Sequence, residues 1–361
     1  MLFSSTYIPE NIENFHNLIL YFFKELELNN HTVFDETLFP TDQRLNLYKY
    51  KNRGKGFKKF VTVFESIFKL YTSKQFSARR KAVFLDDFFA SNKISDICGD
   101  LTLHPIHNDD MDQKVKKILP LFNALYDSYF YDLVDKDSHF DQFSSLNGKI
   151  CSICGLETIY QYDHFFPKGV TNPIYPFSCV NPHNLIPICQ KCNGSKSSKL
   201  IIYENSNRLN QRLLAFSPYY NFETWENVNF QLSNIIKPGV RDHGTWEVTL
   251  SLKDDNLEDD KKLKIQRWNT FFDMEDRYSK EIKKCVNIWI LDFKDRGLTI
   301  EEMVSETTPT KFNIRRTNSI ILQNLFFQYL TNNEEIRNLL TSNISTAENP
   351  IDLLIAQELS N

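Results

Sequence analysis

Four cysteines at paired spacing, Cys151/Cys154 and Cys189/Cys192, are the residues of this chain whose types and positions most directly name a chemistry. A C-x2-C turn points two thiolates at one centre. Two such turns supply the four sulfurs of a closed tetrahedral zinc site, in which the metal holds the fold and has no open position for a reaction. Disulfides or unrelated cysteines are the alternative, and paired C-x2-C turns in a chain that reads as cytosolic favour metal. The 34 residues between Cys154 and Cys189 exceed the common ribbon spacing, so something is inserted between the knuckles.

The insert carries residues of a second chemistry. Asp163 offers a hard oxygen suited to Mg2+ or a similar ion. His164 titrates near neutrality and can take a proton from water. Neighbours on an extended strand point to opposite faces, so a bulge or turn, helped by Pro167, is expected to bring both into one cleft. Asn193, directly after the last cysteine, starts a helix that places its amide oxygen near the same centre. Asn184 has a short amide able to bond the backbone around His164 and fix the ring. Lys196 and Lys199 follow on the helix and suit phosphate.

In this order the stretch from Cys151 to Lys199 resembles the HNH endonuclease family, in the version whose ββα-metal fold is clamped by a four-cysteine zinc site. The pattern stands here as Cys151/Cys154, DHFFP (Asp163 to Pro167), NLIPIC (Asn184 to Cys189), CQKCN (Cys189 to Asn193) and Lys196. The resemblance implies that His164 is the general base, that Asp163 and Asn193 bind a catalytic Mg2+ or Mn2+, and that Asn184 is the structural middle residue. The third family letter is often His and is Asn193 here; both occur in the family. A zinc knuckle that binds DNA without cutting is the alternative for the same residues.

The rest of the chain must position these groups. Its 361 residues correspond to two or three units at about 150 residues each. Hydrophobic residues at 41% and charged residues at 24% fit a soluble globular protein, and 30 Phe against 10 Gly favours long helices over a turn-rich β fold. The net charge of -4 says little about partners, but its distribution says more. Between Arg44 and Lys81 stand Arg44, Lys49, Lys51, Arg53, Lys55, Lys58, Lys59, Lys69, Lys74, Arg79, Arg80 and Lys81, against the single acid Glu65. Such a cluster is the footprint of phosphate binding, with a solvated face or a docking site for an acidic partner as the alternative.

Periodicity predicts a helix over 8–28 and mostly helical structure over 41–90 with a break at Gly54 and Gly56. The interleaved Phe57, Phe60, Phe64 and Phe68 have helical spacing and read as core. Residues 92–111 read as irregular, and His104 and His107 there are assigned nothing. A helix over 112–135 is bent or split by Pro120, and Asp135 to Gly148 reads as a linker. Alternation of Trp246, Val248, Leu250 and Leu252 predicts a strand from Thr245 to Lys253. One long helix from about Asn256 to Arg296 follows, then helices near 299–306, 317–331, 333–341 and 350–358. The strand and long helix, with Arg267-Trp268 and Arg277-Tyr278, look loosely similar to tails of bacterial HNH proteins.

The expected architecture is mainly α: a helical basic region (1–136) for DNA or a partner, a small ββα zinc nuclease module (137–205), and a mainly helical C-terminal region with a short strand (206–361). The expected function is a metal-dependent DNA endonuclease, set by family analogy in bacterial anti-phage defence or restriction. The alternative is a non-catalytic zinc subunit of a multi-protein defence complex, for instance beside an ATPase. Self-association stays open. Leftover Cys98, Cys179 and Cys285, a polar start after Met1-Leu2-Phe3 and the lack of a long apolar run predict a cytoplasmic chain without a membrane span.

Overall fold

Apolar residues at helical spacing build most of the described chain, and large apolar residues alternate with polar ones in one of its two short β pairs. The computed structural model describes residues 2, 8, 10–42, 55–103, 115–132, 141, 144–145, 148–168, 175–197, 199–204, 211–219, 224–235, 244–254 and 256–344, with backbone alone at 11–12, 55–60, 115, 128–132 and 342–344. Arg44, Lys49, Lys51, Arg53, His104, His107, most of the 135–148 linker and the 350–358 helix lie outside the described residues. The fold is mostly helical with two small antiparallel sheets. Among the described residues no helix is long and apolar enough to cross a membrane.

By compactness the chain divides into two units. One unit comprises Ser4–Gly148 with Tyr160–Asn221, and the other Met1–Phe3, Lys149–Ile159 and Phe222–Asn361.

The first unit contains α1 (Glu10–Leu28), α2 (Lys55–Thr72), α3 (Ala78–Ser91), α4 (Ile94–Gly99) and α5 (Leu119–Asp132), followed by β1 (Gln161–His164), β2 (Leu185–Ile188) and α6 (Gln190–Lys196). Two expectations need correction. The 92–111 stretch holds the helix α4, whose Ile94, Ile97 and Cys98 are buried. The α2 helix begins at Lys55 and runs through Gly56, so the second glycine of the expected break is helical. The core of this unit is aromatic. Phe22 and Phe23 on α1, Phe64 on α2, Phe84 and Phe88 on α3 and Phe122 on α5 are all fully buried. Their rings meet edge-to-face or stacked, as aromatic quadrupoles prefer: Phe22 and Phe64 lie 4.8 Å apart, and Phe23 and Phe122 5.6 Å apart.

Phe177 ties the site to that core. It stands in a 3-10 turn, Pro176–Val180, and its ring packs on Phe122 at 5.0 Å and on Phe84 at 5.4 Å. The flanking polar residues satisfy carbonyls at the end of α3, which lack intrahelical partners. Ser178 Oγ donates to Ser91 O (2.6 Å) and Asn181 Nδ2 to Asn92 O (2.7 Å).

The second unit contains β3 (Val228–Ile235), β4 (Thr245–Leu252) and helices α7 (Asp259–Phe272), α8 (Met274–Arg296), α9 (Ile300–Thr307), α10 (Ile320–Asn332) and α11 (Glu334–Ile344). The expected strand is therefore half of a hairpin, paired in register from Val228↔Leu252 to Ile235↔Thr245. The expected single helix from 256 to 296 is two, because Asp273 takes the left-handed conformation (φ 54) and ends α7. Aspartate tolerates that region better than most residues, so the break carried no glycine to announce it. Helix α8 also covers the outer edge of β4: Val248 N–H donates to Ser279 Oγ and Leu250 N–H to Glu275 Oε1. Those donors would otherwise be a template for another strand.

Candidate metal centre and active site

The Cys151 knuckle is a tight turn. Gly155 N–H donates to Cys151 O and Cys151 N–H to Glu157 O, both at 2.8 Å. Gly155 sits at φ +69, and a Cβ there would meet Leu2 Cδ2 at 2.4 Å, so only glycine fits the turn. Later residues of the same unit hold this turn by its carbonyls. Trp268 Nε1 donates to Ile153 O (2.8 Å), Tyr278 Oη to Cys154 O (3.1 Å) and Ser319 N–H to Gly155 O (3.0 Å). The other knuckle opens α6. Cys189 is its N-cap residue, and its sulfur accepts from Cys192 N–H at 3.4 Å.

The metal-ligating atoms of Cys151, Cys154, Cys189 and Cys192 all lie within 4.8 Å of one another, and all four residues are buried and free of disulfides. A zinc–sulfur bond of about 2.3 Å implies sulfur–sulfur edges of about 3.8 Å in a tetrahedron. The observed group is within about 1 Å of that size, and its donors are the soft thiolates zinc prefers. The four cysteines thus form a cluster that could hold zinc.

Beside the second knuckle, β1 and β2 form an antiparallel pair with Asp163 opposite Ile186 and His164 opposite Leu185. Helix α6 follows, giving a strand–strand–helix arrangement. The register is continuous through His164, so β1 holds no bulge, and the chain bends directly after it at Phe165 and Phe166. Asp163 Oδ2 pairs with Lys196 Nζ at 2.6 Å, with the Lys196 side chain 3% exposed and that of Asp163 28%. Lys196 also donates to Ser197 O at 3.0 Å. Asn193 stands one turn before Lys196, and residues three apart share a helix face. It therefore lies on the side of α6 that meets Asp163, half-buried.

His164 faces the helical core. Its Nε2 lies 3.0 Å from Cys179 O, and a carbonyl only accepts. Nε2 therefore carries the proton, and the neutral ring keeps its lone pair on Nδ1. Burial is the main force on its titration and lowers the pKa to about 4. The Cys179 hydrogen bond and the Asp163 charge oppose that shift, while Lys168 and Lys196 add to it. The Tyr126 ring, from α5, forms a T-shaped pair with the imidazole, centroids 4.6 Å apart.

Asn184 is fully buried and clamps the loop after β1. Its Oδ1 accepts from Phe166 N–H (2.7 Å), and its Nδ2 donates to Phe166 O and Ser178 O (both 3.1 Å). Its own carbonyl accepts from Phe165 N–H at 2.7 Å. The amide thus joins the segment after His164 to the turn that presents Cys179 O. It acts on the ring at one remove, through both neighbours.

The remaining expected residues scatter. Lys199 is exposed just past α6, while Lys196 is buried and paired. Lys55, Lys58 and Lys59 lie on the first turns of α2, with their side chains outside the described residues. Lys74 and Arg79 are exposed, and Lys69 pairs with Glu65 at 2.6 Å. Sequence reasoning passed over Tyr126, Asp127 and Lys168. Lys168 follows His164 by four residues, a basic group in the loop of the motif. Nothing local marks Tyr126 or Asp127, which arrive from α5.

No protein-family description matches the chain, and neither a curated protein nor a solved structure is similar to it.

Proposed function

We propose that this chain is a metal-dependent endonuclease of the HNH type that hydrolyses phosphodiester bonds of DNA, with His164 as the general base. The observation that carries this reading is the Nε2–Cys179 hydrogen bond, which leaves a neutral imidazole with its lone pair on Nδ1. A base held in that tautomer can take the proton of an attacking water without reorganising. Asn184 keeps the two segments around the ring in register. The donor set of Asp163 and Asn193, one carboxylate and one amide, suits a hard cation that keeps several waters. Held by Asp163 and Asn193, Mg2+ or Mn2+ would supply charge stabilisation for the departing 3′ oxygen. One carboxylate fits a one-ion site better than a two-ion site.

A supercoiled plasmid incubated with the zinc-loaded chain tests the reading. Nicking that requires Mg2+ or Mn2+ and is lost in His164→Ala supports it. Equal cleavage by parent and variant places any activity elsewhere.

The Asp163–Lys196 pair favours a second reading, in which Asp163 is a structural carboxylate and the chain is a non-catalytic zinc protein that binds DNA or a partner. Calorimetric titration with Mn2+ separates the two: heat that disappears in Asp163→Ala supports the nuclease, and no binding to the parent supports the second reading.

A further inference from the structure

Beside His164 lies a cation that the ββα pattern does not include. Lys168 Nζ sits over the ring of Tyr126, 4.1 Å from its centroid, and 3.2 Å from Asp127 Oδ1. Tyr126 is also the ring that packs in a T-shaped pair with His164. One aromatic side chain therefore touches both the proposed base and the ammonium. The Lys168 side chain keeps 28% of its surface exposed and that of Asp127 46%, so solvent and ligands reach the pair.

As a mere staple this arrangement is weak, because an exposed lysine–carboxylate pair contributes little to stability. As a means of aiming a charge it is effective. An ammonium on four methylenes has large rotamer freedom, which the Tyr126 face and the Asp127 carboxylate restrict. Three N–H donors radiate from Nζ; one is directed at Asp127 and one side is covered by the ring. A phosphate oxygen suits the remaining direction.

We infer that Lys168, aimed by Asp127 and Tyr126, binds a backbone phosphate of the nucleic acid next to the bond that His164 addresses, making it a substrate-contacting residue for this reaction. The inference rests on the nuclease reading above. It also gives α5 a role in the site: helix and loop together place the phosphate relative to the base. Lys196, buried against Asp163, is poorly placed for that contact in the same arrangement.

The test uses the full chain with zinc bound and a fluorescent DNA duplex, titrated without added Mg2+ or Mn2+ over a range of NaCl concentrations. Lys168→Gln should lower the slope of log K against log salt by about one, and Lys168→Arg should restore it. In the cleavage assay Lys168→Gln should raise KM at least severalfold. Asp127→Asn keeps the cation but loosens its aim, so its salt slope stays parental while kcat/KM falls. Zinc content and circular dichroism confirm that each variant is folded. Should Lys168→Gln misfold, Lys168→Met serves in its place, keeping the stem over Tyr126. A parental slope and KM in the folded charge-free variant overturns the inference alone, provided the parent cuts DNA in a His164-dependent way. A parent that neither binds nor cuts DNA overturns the nuclease reading and this inference together.

Discussion

Asp163 Oδ2 and Lys196 Nζ stand 2.6 Å apart, the lysine almost wholly buried and the aspartate partly exposed. The first strand and the helix of the strand–strand–helix arrangement are thus joined by charge. The imbalance in burial matters more than the distance. Removing the acid strands a cation in the interior, whereas removing both leaves an apolar contact.

That asymmetry gives the first prediction. Asp163→Asn should destabilise the protein by about 3 kcal/mol, the lower end of the range for buried pairs because Asp163 is part-exposed. Asp163→Asn combined with Lys196→Met should recover at least half of the loss. Urea unfolding of the parent, both single variants and the double variant measures the coupling. Additive losses would show that the pair is not a unit.

The cysteine cluster gives the second. Cys189→Ser should lose bound zinc and unfold the segment around α6, since structural zinc contributes on the order of 10 kcal/mol of binding free energy to folding. Elemental analysis and thermal melts with and without a strong chelator report both effects. A well-folded parent that contains no zinc would contradict the assignment.

Asn184 is the third. Asn184→Ala leaves Phe166 N–H, Phe166 O and Ser178 O without their buried partner. The expected cost is about 2–4 kcal/mol, combining the penalties for stranded buried groups. Amide hydrogen exchange should show the loss concentrated in the 165–167 loop and the 176–180 turn. Exchange spread evenly over the first unit would instead mean that Asn184 is not the local clamp.

His164→Ala should reduce cleavage by about 10^2 to 10^4, the usual contribution of a general base. Zinc content and DNA affinity should stay at parental values. Single-turnover rates on a short duplex give the comparison, and a loss below tenfold would remove His164 from the chemistry.

His16 supplies a prediction about pH. Burial on α1 and the nearby His183 lower its pKa from 6.5 to about 4, against a hydrogen bond with the Val180 backbone that raises it. The unfolded chain binds this proton between 6.5 and 4 while the folded chain does not. Stability from this group is therefore present above pH 6.5 and lost as pH falls toward 4, by on the order of 3 kcal/mol. His16→Phe should reduce the slope of the stability–pH curve in that window, leaving the share of His164, whose pKa is also lowered to about 4. An unchanged curve in urea titrations between pH 7 and 4 would refute it.

Some of this was legible from residue order alone. Two C-x2-C turns defined the four sulfurs, because a knuckle is local and needs only two cysteines and a turn. Phe64 and Phe68 were readable as core because 3.6-residue spacing fixes a helical face, and both are buried. The alternation from Trp246 to Leu252 marked β4 for the same reason, with period two. Other features depend on partners distant in the chain. Sequence placed Asp163 and Lys196 near one centre but did not show that the carboxylate and ammonium pair, since that needs the packing of α6 on β1. The tautomer of His164 follows from a carbonyl fifteen residues away, presented by a turn that Phe177 anchors in an aromatic core. Tyr126, Asp127 and Lys168 meet across some forty residues of chain, where no periodicity connects them. The break at Asp273 lacked a glycine, so only the backbone itself revealed it. Spacing encodes what neighbours along the chain can do, whereas burial and charge pairing are set by whatever tertiary packing brings alongside.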